Sequence, residues 1–148
     1  EAEKFVENQN SNNFEGLITI DGNGNKYKIK NKTFLEKQHF IESFDFKTGV
    51  ILAIKNDDSL VAQFPEIYNL YLDIKKMINT ICFRYDSIYE FGIKHSKSKQ
   101  EFGSKVIPQT KFVQPLFAMY DKKVKNMQEY IEKMNLEKFV IMLENGEI

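Results

Sequence analysis

The feature that most constrains this chain is the run from Ile67 to Ile88. Ile67, Leu70, Tyr71, Ile74, Met77, Ile78, Ile81, Tyr85 and Ile88 recur at intervals of mostly three and four residues, which sets them along one stripe of an α-helix. A strand would need a period of two. Pro65 suits a first helical position, and the helix is expected to end near Phe91 and Gly92. A stripe this long is stable only when other elements cover it, so the flanking segments must supply them.

Those segments read mostly as further helices. Thr33 with Glu36 three positions later forms a capping box for a helix to about residue 45, with Phe34, Phe40, Ile41 and Phe44 on its apolar side. Gly49 to Lys55 is expected to be helical, and Asp58 or Ser59 to cap a short turn. Ser98 and Glu101 form a second capping box for a helix stopped before Pro108. Another helix is expected over Phe112 to Lys123, bent or started at Pro115. Met127, Tyr130, Ile131 and Met134 mark a further helix, and Phe139, Ile141 and Leu143 a terminal one. No β signal returns after residue 45. Ahead of it, residues 1 to 9 read as the last turns of a helix, with Ala2, Phe5 and Val6 apolar, broken by the Asn, Gln and Ser residues of positions 8 to 13.

The exception is a hairpin. Two alternating runs, Glu15 to Ile20 and Lys26 to Lys30, flank Asp21, Gly22, Asn23 and Gly24, the composition of a tight turn. With Gly22 and Asn23 as the two central residues, Thr19 faces Lys26, Leu17 faces Lys28 and Glu15 faces Lys30. Every charge then lies on one face, and Ile18, Ile20, Tyr27 and Ile29 collect on the other, beside Gly16. A slip of one residue would set Glu15 opposite Asn31 and move Ile18 and Ile20 to the lysine face, so the first register is expected. The fold class is therefore mainly α with a small β-hairpin.

The 148 residues, 42% of them hydrophobic, suffice for one ordinary domain or a small one with part of another. The lone Cys82 excludes an intramolecular disulfide framework and is expected to be a buried structural thiol in a reducing compartment. No apolar run approaches the roughly 20 residues of a membrane span, and no signal pattern opens the chain. Glu1 opens it in mid-helix pattern without an initiator methionine, which suggests the carboxyl-terminal portion of something longer.

The formal charge of zero conceals segregation. Five lysines and one acid lie between Lys26 and Lys37, six acids and three bases between Asn56 and Glu90, and eight lysines and two acids between Ile93 and Lys125. Two basic segments suit a polyanion if they share a side; otherwise they are solvated helix faces.

A carboxylate and lysines on a rigid strand pair suit phosphoanhydride chemistry. The cations neutralise charge on phosphoryl oxygens and the acid can hold a hydrated metal ion, although lysines also protect sheet edges. Glu15-Gly16-Leu17-Ile18 resembles motif IV of the covalent nucleotidyltransferases (ATP-dependent RNA and DNA ligases and messenger RNA capping enzymes), and Tyr27-Lys28-Ile29-Lys30 resembles their motif V. DNA ligases and capping enzymes follow motif V with a β-rich fold, whereas this chain continues in helices. The acidic stretch from Ile54 to Phe64, the aromatic-rich helix from Tyr68 to Phe91 and the segment from Gln114 to Tyr120 resemble the tail of the phage RNA ligase 1 family.

That resemblance implies ATP-dependent joining of an RNA 3'-hydroxyl to a 5'-phosphate, with magnesium, and with nicked transfer RNA or single-stranded ends as substrate. It implies a nucleotidyltransferase piece over residues 1–40 and an all-helical, RNA-recognising tail over 41–148, in the cytoplasm, that of the host if the protein is phage-encoded. Glu15 would position the metal or nucleotide, and Lys28 and Lys30 would contact the phosphates of ATP or of the adenylated intermediate. Lys26 lies outside the motif. Lys122, Lys123 and Lys125 are candidate RNA contacts in the second basic segment.

The departure from the family pattern concerns the nucleophile. The family attacks ATP with the lysine of a Lys-x-Asp-Gly motif, and the only Asp-Gly here is in Thr19-Ile20-Asp21-Gly22, where a hydroxyl cannot form a phosphoramidate. The nucleophile is expected upstream of this chain, in a missing amino-terminal portion, or is lacking. Two alternatives stand beside the ligase reading: a non-catalytic RNA-binding module and a helical protein-interaction domain. His39 and His95 have no metal-ligand spacing and are expected at the surface or at a helix cap. The aromatic residues of the long helix are expected in the core, with base stacking as the alternative.

Overall fold

The computed structural model describes residues 1–11 and 13–148; Asn12, inside the polar break expected over residues 8–13, lies outside them. The chain divides into two compact units, Glu1–Phe44 and Asp45–Ile148. It is mainly helical, at 65%, with a two-stranded antiparallel sheet. No helix among the described residues is long and apolar enough to cross a membrane.

The first unit contains α1 (Ala2–Glu7), β1 (Gly16–Ile20), β2 (Lys26–Lys30) and α2 (Lys32–Ser43). The strands form the expected hairpin, but in the other register: Gly16 faces Lys30, Leu17 faces Ile29, Ile18 faces Lys28, Thr19 faces Tyr27 and Ile20 faces Lys26. The turn explains the slip. Asp21 N–H donates to the Asn25 carbonyl and Gly24 N–H to the Asp21 carbonyl, both at 3.0 Å, and Gly24 has φ +85°. This is a three-residue loop closed by a left-handed glycine, one residue longer than the two-residue turn that face segregation favoured. The Asp21 carboxylate holds it together, accepting from the backbone N–H of Asn23 and Asn25 at 2.9 Å and from Asn25 Nδ2 at 2.8 Å. These local bonds outweigh the tidier separation of charge from hydrocarbon.

Ile18 and Ile20 therefore share a face with Lys26, Lys28 and Lys30 and are 60% and 63% exposed. Leu17 and Ile29 face the other way, and α1 packs on the hairpin with Val6 buried. The helix after β2 is capped earlier than the expected Thr33 box. Asn31, 2% exposed, accepts from Phe34 N–H through Oδ1 at 3.2 Å, and its Nδ2 donates to the carbonyls of Val6 at 3.0 Å and Gln9 at 3.4 Å. One side chain thus ties the end of α1 to the start of α2.

The second unit contains α3 (Phe46–Lys55), α4 (Asp58–Val61), α5 (Pro65–Lys94), α6 (Lys99–Val106), a 3-10 turn (Ile107–Gln109), α7 (Gln114–Tyr120), α8 (Met127–Lys133) and α9 (Leu136–Glu144). The long apolar stripe is its axis. Ile67, Tyr71, Ile74, Ile78, Ile81, Tyr85 and Ile88 are buried, and α3, α6, α7 and α8 pack on α5. Leu70, expected in the stripe, is instead exposed, and Met77 is half-buried. Ser98 caps α6 as expected, accepting from Glu101 N–H at 3.2 Å, while the Glu101 carboxylate reaches back to Lys97 N–H at 2.8 Å. Asp58 joins α4 to α5: its carboxylate accepts from the buried Tyr71 hydroxyl and from Lys75 Nζ at 2.7 and 2.8 Å. The Lys75 bonds, then the Tyr71 bond, hold the Asp58 carboxyl below the usual range; burial, then the same bond, raises Tyr71.

The helix expected to end near Gly92 runs on to Lys94, because Gly92 serves packing rather than termination. A Cβ there would lie 2.6 Å from both Phe102 and Val106, buried side chains of α6. In an open helix Gly→Ala stabilises by about 1 kcal/mol. Here overpacking costs about 1–3 kcal/mol, so Gly92→Ala is expected to lower the midpoint of urea unfolding; a raised midpoint would show that α6 yields freely.

Candidate functional site

Glu15 lies just ahead of β1, and its carboxylate comes within 3.5 Å of Lys28 Nζ, with the two side chains 54% and 55% exposed. Its carbonyl accepts from Asn31 N–H at 2.7 Å, extending the ladder by one pair. Gly16 permits this crossing: a Cβ would be 2.3 Å from the Ile29 carbonyl oxygen and 2.9 Å from Lys30 Cα. Lys30 lies opposite Gly16, two positions from Lys28, about 7 Å along the strand. An exposed ion pair contributes at most about 1 kcal/mol, so these charges do not hold the hairpin together.

Of the three residues read from the sequence, Glu15 and Lys28 are paired and Lys30 follows on the same strand face, in a register other than the one that suggested them. Ile18 and Ile20 join them, which that register denied. Asp21, by contrast, is committed to the turn. Its four acceptor contacts include the Tyr27 hydroxyl at 3.2 Å, and the Asn25 side chain, followed by Asn25 N–H, holds its carboxyl below the usual range. Thr19 Oγ1 donates to the Tyr27 carbonyl at 3.4 Å. The Thr19 to Gly22 segment is therefore the end of β1 and the start of its turn.

Lys122, Lys123 and Lys125 form a separate basic loop in the helical unit. Lys122 has φ +56°, its N–H donating to the Met119 carbonyl at 3.0 Å, while Lys123 N–H donates to Ala118 at 2.9 Å, a pattern that closes α7. Lys125 N–H donates to the Glu129 carboxylate at 2.6 Å. All three side chains are exposed, and among the described residues none belongs to an ion pair. The Lys99–Asp121 pair at 2.6 Å brings the start of α6 to the same loop.

Among the described residues no group of three or more His, Cys, Asp and Glu side chains could hold a metal ion. His39 is exposed, and His95 is the cap residue of α5, its Nδ1 2.8 Å from the Phe91 carbonyl. Cys82 is half-buried rather than buried, 3.5 Å from Gln128 Oε1, and desolvation pushes its thiol up to about 11. Tyr71 and Tyr85 are core residues as expected, but Phe83 is 76% exposed. Phe83 thus departs from the expectation that the aromatic residues of the long helix lie in the core, and Asn31 was not singled out as a cap. Phe83 could have been found by its offset from the stripe, Asn31 by its place between a strand and a helix.

No family model matches the chain, and no curated protein or solved structure matches it.

Proposed function

We propose that this chain supplies part of the nucleotide site, and the RNA-recognising helical unit, of an ATP-dependent RNA ligase. The observation that carries the reading is one hairpin face on which exposed Ile18 and Ile20 stand beside Lys28 and Lys30, with the Glu15 carboxylate against Lys28. ATP has the same two-part character, a flat apolar base and a polyanionic tail. Ile18 and Ile20 offer hydrocarbon to the base, and Lys28 and Lys30 offer charge-assisted hydrogen bonds to phosphoryl oxygens. The donor set fits a magnesium ion held mostly by water and substrate phosphates, for which one carboxylate suffices, and Glu15 is that carboxylate. The ion would supply charge neutralisation at the phosphates.

The attacking amine is not among these residues. In the proposed reaction a lysine supplied from outside them forms an N–P bond to the α-phosphorus of ATP and releases pyrophosphate. AMP then passes to the RNA 5'-phosphate and leaves when the 3'-hydroxyl attacks. The test is transfer of label from α-labelled ATP. The 148 residues alone are expected to acquire none, and the natural gene product, if longer and carrying a Lys-x-Asp-Gly segment, is expected to acquire one AMP on that lysine. A labelled 148-residue chain, or a natural product that never takes label, would overturn the reading.

The basic loop supports the RNA role. Binding of a stem-loop RNA is expected to weaken steeply with salt. Replacing Lys122, Lys123 and Lys125 together should reduce the slope of log K against log salt by about 2 to 3. An unchanged slope removes this loop from the RNA path.

A further inference from the structure

Phe83 sits two residues from both Ile81 and Tyr85, so it points about 200° away from the buried stripe of α5. Its ring is 76% exposed in the middle of a 30-residue helix whose fold does not need it. Around it lies a shallow concavity of about 460 Å³ formed by Leu72, Lys75, Lys76, Asn79, Thr80 and Phe83. Lys75 and Asn79 also line an adjoining concavity of about 370 Å³, together with Lys55, Asn56, Gln128 and Glu132. The two make one groove from the outer face of α5 toward α3 and α8.

We propose that this groove binds unpaired nucleotides of an RNA strand, with one base stacked on Phe83; the inference rests on the RNA-binding part of the function proposed above. The groove offers what such a strand presents. The ring gives a flat face for a base. Asn56 and Asn79 are amides that can both donate to and accept from base edges, while the Gln128 amide is engaged by Cys82 and Glu132. Lys75 is held by Asp58, at 2.7 Å, which leaves Lys55 and Lys76 as the cations facing phosphate. The one carboxylate of the two concavities, Glu132, already accepts from Gln128 Nε2 at 3.0 Å.

A protein partner fits less well. Leu72 and Phe83, the exposed hydrocarbon of the first concavity, are eleven residues apart, roughly 16 Å along the axis, with Lys76 and Asn79 between them. That is not the contiguous apolar core a stable protein interface is built on. A duplex keeps its bases stacked on one another, so only an unpaired nucleotide can present a face to the ring.

The test is fluorescence anisotropy of the 148-residue protein with a labelled 12-nucleotide single-stranded RNA, and with the same strand in a duplex. Phe83→Ala and Phe83→Leu are each expected to weaken single-strand binding about 10-fold, Phe83→Tyr to retain it, and the duplex to bind more weakly than the single strand. Circular dichroism should be unchanged in all three variants, since the side chain lies outside the core. Full affinity in Phe83→Ala, restoration by Phe83→Leu, equal affinity for the duplex, or self-association abolished by Phe83→Ala would each overturn the proposal. Failure to bind RNA at all would do so as well, while leaving AMP transfer to be judged by its own assay. Conversely, Phe83-dependent RNA binding in a protein that never takes AMP would sustain this groove and remove the ligase.

Discussion

Asn31→Asp should unfold the hairpin unit and leave the helical unit intact. The substitution keeps an oxygen able to cap α2 but replaces the amide nitrogen that donates to the carbonyls of Val6 and Gln9 with a second acceptor. At 2% exposure there is little water to fill the gap. The Val6 carbonyl keeps the Gln9 N–H as a donor at 3.2 Å. The loss therefore falls on the Gln9 carbonyl and on the buried carboxylate oxygen turned toward both carbonyls, at a cost of about 1–3 kcal/mol. Asn31→Ala removes the cap as well, worth about 1 kcal/mol, so each variant is expected to lose about 2–4 kcal/mol. A unit of this size is marginal to begin with. Hydrogen exchange is the measurement: the amides of β1, β2 and α2 should lose protection in both variants, and those of α5 should keep theirs. A protected hairpin in Asn31→Asp would mean that the ends of α1 and α2 are not joined through this amide.

What the sequence made legible, and what it hid, follows from the range of the forces involved. The axis of the helical unit could be read because burial of Ile67 to Ile88 repeats over six turns, enough for the period to outweigh any single residue. The start of α5 at Pro65 and the Ser98 cap were readable for a different reason: each is decided by backbone geometry within four residues. The register of the hairpin was not readable from its faces. Five residues per strand favour one register by their faces, but too weakly to override the turn, where the Asp21 carboxylate bonds Asn23, Asn25 and Tyr27. The Asn31 cap on Phe34 N–H was within reach of a local rule, which Thr33 satisfied as well; the tie from Asn31 to α1, which spans 25 residues, was not. Gly92 looked like a stop for the same reason: the side chains that require it belong to α6. Glu15, Lys28 and Lys30 were named by motif rather than by face, so the change of register left the Glu15–Lys28 pair together and Lys30 two positions along the same strand.

In the protein that carries the nucleophile, Lys28→Ala and Lys30→Ala are expected to slow AMP transfer roughly 10- to 100-fold each, and Lys26→Ala much less. A charge-assisted hydrogen bond to a phosphoryl oxygen contributes about 1.5–3 kcal/mol, which is that range in rate when the contact is made in the transition state. The observed pairing places all three lysines on one face, so the gradient cannot come from orientation. It comes from position along β2. Lys30 lies opposite Gly16 and Lys28 touches Glu15, whereas Lys26 lies opposite Ile20 at the turn, about 7 Å beyond Lys28 and away from the carboxylate. Because the Glu15–Lys28 pair is exposed and weak, neither substitution should shift the unfolding midpoint, and a rate loss can be assigned to chemistry rather than folding. Single-turnover adenylation at saturating ATP separates the step from binding. Equal losses at Lys26, Lys28 and Lys30 would reduce the face to a general cationic field, and unchanged rates at Lys28 and Lys30 would remove the hairpin from the nucleotide site.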